Sequence, residues 1–189
     1  SRAGKHVAIM AHINHWQEVD TPIAARAIAR LREAGAVLRA QAPVLAHIND
    51  SAEAWAELWH NEVRHGIIPY YMFVERDTGA RAYFEVPLVR TWSIYRDAIQ
   101  QVSGLARTAR GPSMSAEPGK VEVQGVTEIA GERVLALRFI QGRNPDWVQK
   151  PFFARYDAQA TWIDQLRPAF GEERFFFEPE LEAMRTAIV

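Results

Sequence analysis

Lysine is scarce in this chain: Lys5, Lys120 and Lys150 are the only ones among 22 basic residues, the rest being arginine. Lys120 closes a stretch from Gly111 to Gly125, GPSMSAEPGKVEVQG, that is punctuated by glycine and proline and runs into an alternating strand-like sequence. Arginine stays protonated, whereas a lysine ammonium can be desolvated to a neutral amine, the form that condenses with a carbonyl. A lysine on a shaped loop is therefore a candidate for carbonyl chemistry, with a solvated surface lysine as the plain alternative. The glycine-lysine pair is not a phosphate-binding P-loop, because Gly111 and Gly119 enclose too many residues and Val121 stands where Ser or Thr is needed. Three other groups carry polar chemistry: His12-Ile13-Asn14-His15, His47-Ile48-Asn49-Asp50 and Glu75-Arg76-Asp77. His12 and His15 have no third ligand in view, so no metal is expected there.

Each of those groups follows a short apolar run of the kind that forms a buried parallel strand: KHVAIMA from Lys5, VLRAQAPVL from Val37 and IIPYYMFV from Ile67. A helix follows each run. Thr21 caps the first, with Pro22 at its first position and Gly35 as its stop. The second begins near Ser51, where Asp50-x-x-Glu53 resembles a capping box, and stops at Gly66, with His47, Asn49 and Asp50 read as capping residues. The third runs from Pro87 to Val102 with an apolar stripe through Trp92, Tyr95 and Ile99. Alternation at about thirty-residue intervals indicates right-handed crossovers and a parallel sheet, whose ligands bind at the carboxyl ends of the strands. The three polar groups then share one rim, and Tyr70 and Tyr71, on alternate faces, send one ring to the site. VEVQGVTEI and RVLALRFI, joined through Ala130-Gly131-Glu132, read as an antiparallel hairpin. An aromatic tail ends in a helix from Leu181 to Ile188. The expected division is 1–104 for the strand-helix units, 105–143 for the lysine loop and hairpin, and 144–189 for a tail that wraps an apolar surface.

The 189 residues carry a net charge of -1 from interspersed acids and arginines, so neither a nucleic-acid face nor a polybasic membrane tract is indicated. No apolar run approaches a membrane span and no signal peptide opens the chain, which reads as cytoplasmic. There is no cysteine, hence no thiolate ligand for zinc or iron-sulfur. The opening Ser-Arg-Ala-Gly without Met is compatible with processing, a tag scar or an excised fragment.

The order HINH, RAQAPVLAHIND, PYYMFVERD, SG and PGK, from about Ala8 to Gly125, resembles the second half of the lysine 2,3-aminomutase family, radical S-adenosylmethionine enzymes that also use pyridoxal phosphate. The resemblance implies that Lys120 is the Schiff-base lysine for pyridoxal phosphate. It implies that His12 and Gln41 lie near S-adenosylmethionine. It implies a fold class of α/β type, a parallel partial TIM-like barrel formed by the last three strand-helix units of a six-stranded open barrel, followed by the antiparallel hairpin and tail. The activity implied is migration of an amino group between adjacent carbons of an amino acid.

Several departures from the family pattern bear on function. The cysteines that hold the family's [4Fe-4S] cluster are absent, so this chain alone is expected to lack radical activity, and an N-terminal half or a homo-oligomeric partner is expected to complete the sheet. Some members carry a zinc cysteine near the position of Ser51, and no zinc is expected here. Lysine-specific members place an aspartate after PYY where ungapped pairing puts Arg76, and a second one in the loop that here holds only Glu117. A cation in that place repels lysine and suits a substrate with a second carboxylate, such as glutamate. Arg76 is then the distal substrate contact, and Asp77 takes that place if the pairing slips by one residue. The alternative is a non-catalytic truncated homologue or a module of a complex; an unrelated metal-dependent barrel hydrolase is a third class.

Overall fold

In the computed structural model, which describes residues 4–76 and 79–187, one seven-stranded sheet runs through the chain in sequential order. β1 (Val7–His12), β2 (Ala36–Val44), β3 (Ile68–Val74) and β4 (Arg110–Ala116) pair in parallel. β5 (Gly119–Ile129), β6 (Glu132–Gly142) and β7 (Pro151–Arg155) extend the same sheet antiparallel, leaving β1 and β7 as its edges. α1 (Pro22–Glu33) and α2 (Ala52–Arg64) connect the first three strands, and the short α3 (Arg81–Phe84) with α4 (Leu88–Gln101) connects β3 to β4. α5 (Glu178–Thr186) closes the described chain.

Local chemistry sets most of these boundaries. Thr21 accepts a hydrogen bond from the Ala24 amide at 3.1 Å, and Pro22 opens α1 where its missing N–H costs nothing. Ser51 caps α2 by accepting from the Ala54 amide at 3.1 Å; the cap is thus Ser51 and not Asp50. In β2, Leu38, Ala40, Ala42 and Val44 are buried against Trp55, Leu58 and Trp59 of α2 and Ile94 and Ala98 of α4. The intervening Arg39, Gln41 and Pro43 lie on the opposite face by the two-residue period of a strand. A second core joins Met114, Val121, Val123, Leu135 and Leu137 of the antiparallel strands to a cluster of rings from the tail. There Phe139 lies 5.4 Å from Phe152 and 5.1 Å from Phe177, centroid to centroid.

The expected partial parallel barrel of three strand-helix units with a separate hairpin is not what forms. The parallel run has a fourth strand, and the hairpin and β7 belong to the same open mixed sheet. The reason lies in the glycines, which read as loop punctuation but mark close strand contacts. A Cβ on Gly111, at φ 133°, would meet the Met72 carbonyl oxygen at 2.2 Å, and one on Gly119, at φ 147°, would meet that of Gln141 at 2.2 Å. Both positions tolerate only a residue without a side chain, which lets β4 and β5 lie this close to their neighbours. Lys120 is accordingly the second residue of a strand and not the end of a loop.

Glu62 sits inside the helical layer at 2% exposure, its Oε2 without a hydrogen-bond partner. Burial pushes its carboxyl up to about 8. A carboxyl whose folded pKa is raised favours the protonated form, so the fold loses stability as pH rises from about 4.5 to about 8, by at most about 1.4 kcal/mol per pH unit. Glu62→Gln, which cannot ionise, should flatten that decline when urea unfolding is compared on the two sides of the window.

Candidate functional site

Register across the sheet aligns four side chains that are far apart in sequence. Cα partners run His12↔Gln41, Gln41↔Tyr71 and Tyr71↔Arg110, and residues so paired share a face. The face is the one opposite α2 and α4, since Ala40, Ala42 and Met72 point into the helical core. A bulge in the β2–β3 pairing, where Ala40 pairs Pro69 and Gln41 pairs Tyr71, leaves Tyr70 as the extra residue. The Tyr70 and Tyr71 rings therefore meet, 4.6 Å apart and edge to face, in place of the expected alternation.

β4 and β5 bring Lys120 over this row. Ser115 pairs with Lys120, and the lysine reaches back so that Nζ stands 4.2 Å from the Tyr71 ring centre and 5.1 Å from that of Phe73. The two rings are stacked at 5.0 Å and form an aromatic wall. Burial against that wall, and then the charge of Arg110, lowers the Lys120 pKa from its ordinary value. Burial likewise raises that of Tyr71, opposed by Arg110. The amine is thus displaced toward its neutral form by the geometry of the sheet.

A cavity of about 580 Å³ opens above the row, lined among others by His12, Gln41, Phe73, Arg76, Ser115 and Lys120. Four of the five residues singled out from the sequence, His12, Gln41, Arg76 and Lys120, thus share one cavity, and Asp77 lies outside the described residues. His12 Nε2 is 2.9 Å from Asn14 Oδ1. Arg76 is exposed, and among the described residues no carboxylate pairs with it. Glu117, the one acid in the stretch before Lys120, is turned away and bonds Arg185 of α5 through both oxygens, which lowers its pKa. His15 caps the 3-10 turn Trp16–Glu18. His47 is exposed, and its ring lies 4.7 Å from that of Tyr83.

The rim is held by a residue that sequence reasoning assigned to a helix cap. Asn49, at 1% exposure, accepts from the Leu45 amide at 2.7 Å and donates to the carbonyls of Asn14 at 2.9 Å and Pro43 at 3.0 Å. It ties the loop after β1 to the end of β2, the two places from which His12 and Gln41 enter the cavity. Arg110 and Arg39 were missed, and which of Tyr70 and Tyr71 faces the site was left open, because only the bulge and the β3–β4 pairing fix those positions.

No protein-family model matches the chain. Among curated proteins, it is 30% identical over 172 residues to a provisional L-lysine 2,3-aminomutase of Aquifex aeolicus, a match covering 91% of this chain and 44% of that protein. It is 31% identical over 120 residues to the L-lysine 2,3-aminomutase of Escherichia coli, covering 64% of this chain and 35% of that one. A third match, 27% identical over 112 residues, is the L-lysine 2,3-aminomutase of Haemophilus influenzae, with 59% of this chain and 33% of that protein covered. The chain belongs to the lysine 2,3-aminomutase family. It spans less than half the length of the curated relatives it matches. By their names the relatives are isomerases that move an amino group. Among the described residues of this family member, no helix is long and apolar enough to cross a membrane.

Two measurements check the site's construction. Asn49→Ala strands three buried backbone groups and should cost about 2 kcal/mol in chemical unfolding. The Lys120 amine should react with a small amine-directed reagent at lower pH than a free lysine side chain does, because its lowered pKa exposes the neutral form earlier. Mass spectrometry of the peptide containing Lys120 across a pH series reads that shift.

Proposed function

We propose that this chain is the lysine-bearing part of an amino acid 2,3-aminomutase that uses pyridoxal phosphate and S-adenosylmethionine, with a preference for an acidic substrate such as glutamate. The observation that carries the reading is the partly desolvated Lys120 amine, set against the Tyr71 and Phe73 rings in the cavity that His12, Gln41 and Arg76 also line.

The residues present fit pyridoxal phosphate: a lysine displaced toward the neutral amine and an aromatic wall for a planar ring. Lys120 would hold it through Nζ, with Tyr71 and Phe73 beside the ring. His12 and Gln41, neighbours across β1 and β2, are the groups for S-adenosylmethionine. The chain does not fit an iron-sulfur cluster, since it contains no cysteine, and the electron that would cleave S-adenosylmethionine has to come from a cluster on another segment. With that electron supplied from outside the chain, S-adenosylmethionine would give a hydrogen-abstracting radical and pyridoxal phosphate a π-system that carries nitrogen between carbons.

The chain's own residues do the rest. Lys120 would hold the cofactor through Nζ and yield it to the substrate's amino group, and its lowered proton affinity would keep the freed amine available. The exposed guanidinium of Arg76 offers two parallel N–H donors to a distal carboxylate and repels an ammonium in the same position. The aromatic wall and the strand-borne side chains keep water from one side of the cavity.

The absence of cysteine favours a second reading in one respect: by itself the chain is a binding module, inactive until a cluster-bearing segment is supplied. Incubation with pyridoxal phosphate followed by borohydride should add mass to the peptide containing Lys120, and Lys120→Ala should abolish it. Assayed together with a cluster-bearing segment, glutamate should turn over faster than lysine, and Arg76→Asp should move the preference toward lysine by about tenfold or more. Faster turnover of lysine by the unaltered protein would remove the acidic substrate from the proposal.

A further inference from the structure

Three cations gather around two touching rings on the face of the sheet that the helices leave uncovered. Arg39 Cζ lies 4.7 Å from the centre of the Tyr70 ring, and Arg110 Cζ lies 5.5 Å from the same ring on another approach. Arg110 is also 5.9 Å from the Tyr71 ring, over which Lys120 Nζ stands at 4.2 Å. Among the described residues no carboxylate pairs with any of the three. The acids closest in strand register are committed elsewhere: Glu122 holds Arg138 at 2.6 Å, and Glu117 holds Arg185. Like charges brought together without a counter-charge repel, and the ring faces offset only part of that. All three sit on strands, so their positions are fixed by the sheet. Arg110 is exposed and Arg39 half-buried, and one donor of the Arg110 fork also meets the Tyr71 hydroxyl.

A guanidinium presents a planar fork that matches the oxygens of a carboxylate or a phosphate, and aromatic stacking sets the plane of that fork in advance. We infer that Arg110, backed by Arg39 across Tyr70, is an oxyanion subsite for the small molecule whose carbonyl Lys120 takes. The fork holds a phosphate monoester or a carboxylate while the amine meets the carbonyl at the other end of the same molecule. This rests on the reading of Lys120 as a carbonyl-binding amine. Arg76, at the mouth of the cavity, is a separate contact. The two arginines belong to β2 and β4 and flank the Tyr70 ring, beside the residues that line the cavity and not among them.

The test uses two pairs of aldehydes that differ in the oxyanion: pyridoxal phosphate against 5'-deoxypyridoxal, neither of which can close a hydroxyl onto its own aldehyde, and succinic semialdehyde against butanal. In each the amine nitrogen adds to the aldehyde carbon, water leaves, and borohydride supplies the hydride that fixes the carbon-nitrogen bond for mass spectrometry. The charged member of one pair should label Lys120 at least about tenfold more efficiently than its neutral partner, and which pair does so names the oxyanion. Arg110→Gln should erase that advantage and Arg39→Gln should reduce it, while the neutral aldehydes still label. Arg110→Gln should also move the pH profile of butanal labelling upward, because a like charge beside the amine is gone, whereas Arg110→Lys, which keeps that charge, should leave the profile in place. Inorganic phosphate or glutarate, added to the unaltered protein, should compete the advantage away, which tests the subsite with no substitution at all. Equal labelling by charged and neutral members of both pairs overturns the subsite and leaves the lysine reading standing. No labelling of Lys120 by any of the four overturns both.

Discussion

The arrangement depends on how closely β4 lies against β3. At Gly111 the backbone passes so near the Met72 carbonyl that a single methyl group would collide with it at 2.2 Å. That approach sets the register in which Arg110 faces Tyr71 and Ser113 faces Phe73. Two residues after β4 ends, the chain has turned into β5, and the Ser115–Lys120 pairing brings the lysine back over the same rings. Gly119 repeats the device against β6. The position of one amine is thus inherited from two glycines on neighbouring strands.

The electrostatics follow from that placement. A lysine on an exposed loop would keep its proton at neutral pH, since water solvates the ammonium better than a protein does. Here the aromatic wall removes part of that solvation and Arg110 adds a like charge, and both act in one direction. The cation-π attraction of Tyr71 acts in the other, favouring the ammonium. The two influences oppose each other, and among the described residues no carboxylate pairs with the amine. Of the two acids nearest in sequence, Glu122 is held by Arg138 and Glu117 is withdrawn to the outside by Arg185.

Two cores serve different parts of the site. The helical layer of α2 and α4 supports β1 to β3 and so fixes His12, Gln41 and the tyrosines. The ring cluster of the C-terminal residues supports β5 and β6, where Lys120 is carried. α4 ties the two together, because Trp92 donates to the Gln124 carbonyl at 3.1 Å and Leu88 lies in the second core. Asn49 then fixes the rim by bonding the ends of β1 and β2 to each other.

Much of this was legible in the sequence. Strong local signals, such as Thr21 before Pro22 and the apolar stripes of the helices, act within a few residues and are read directly. The family pattern, carried by short motifs in a fixed order, identified Lys120, His12, Gln41 and Arg76 as one group, and the structure gathers those four around one cavity. The glycine-rich stretch was misread because a glycine in a turn and a glycine pressed against a neighbouring strand look alike in one dimension. Tyr70 escaped for a related reason: strict alternation puts it on the far face, and only a bulge created by the partner strand returns it to Tyr71. The sequence by itself determined the three long helices and the first three strands and singled out Lys120 as the candidate amine, since those rest on local periodicity and on residue chemistry. Tertiary structure alone decided that the sheet is mixed and open and that Arg39 and Arg110 belong beside the lysine, because register between strands distant in the chain is a property of pairing and packing that no single strand encodes.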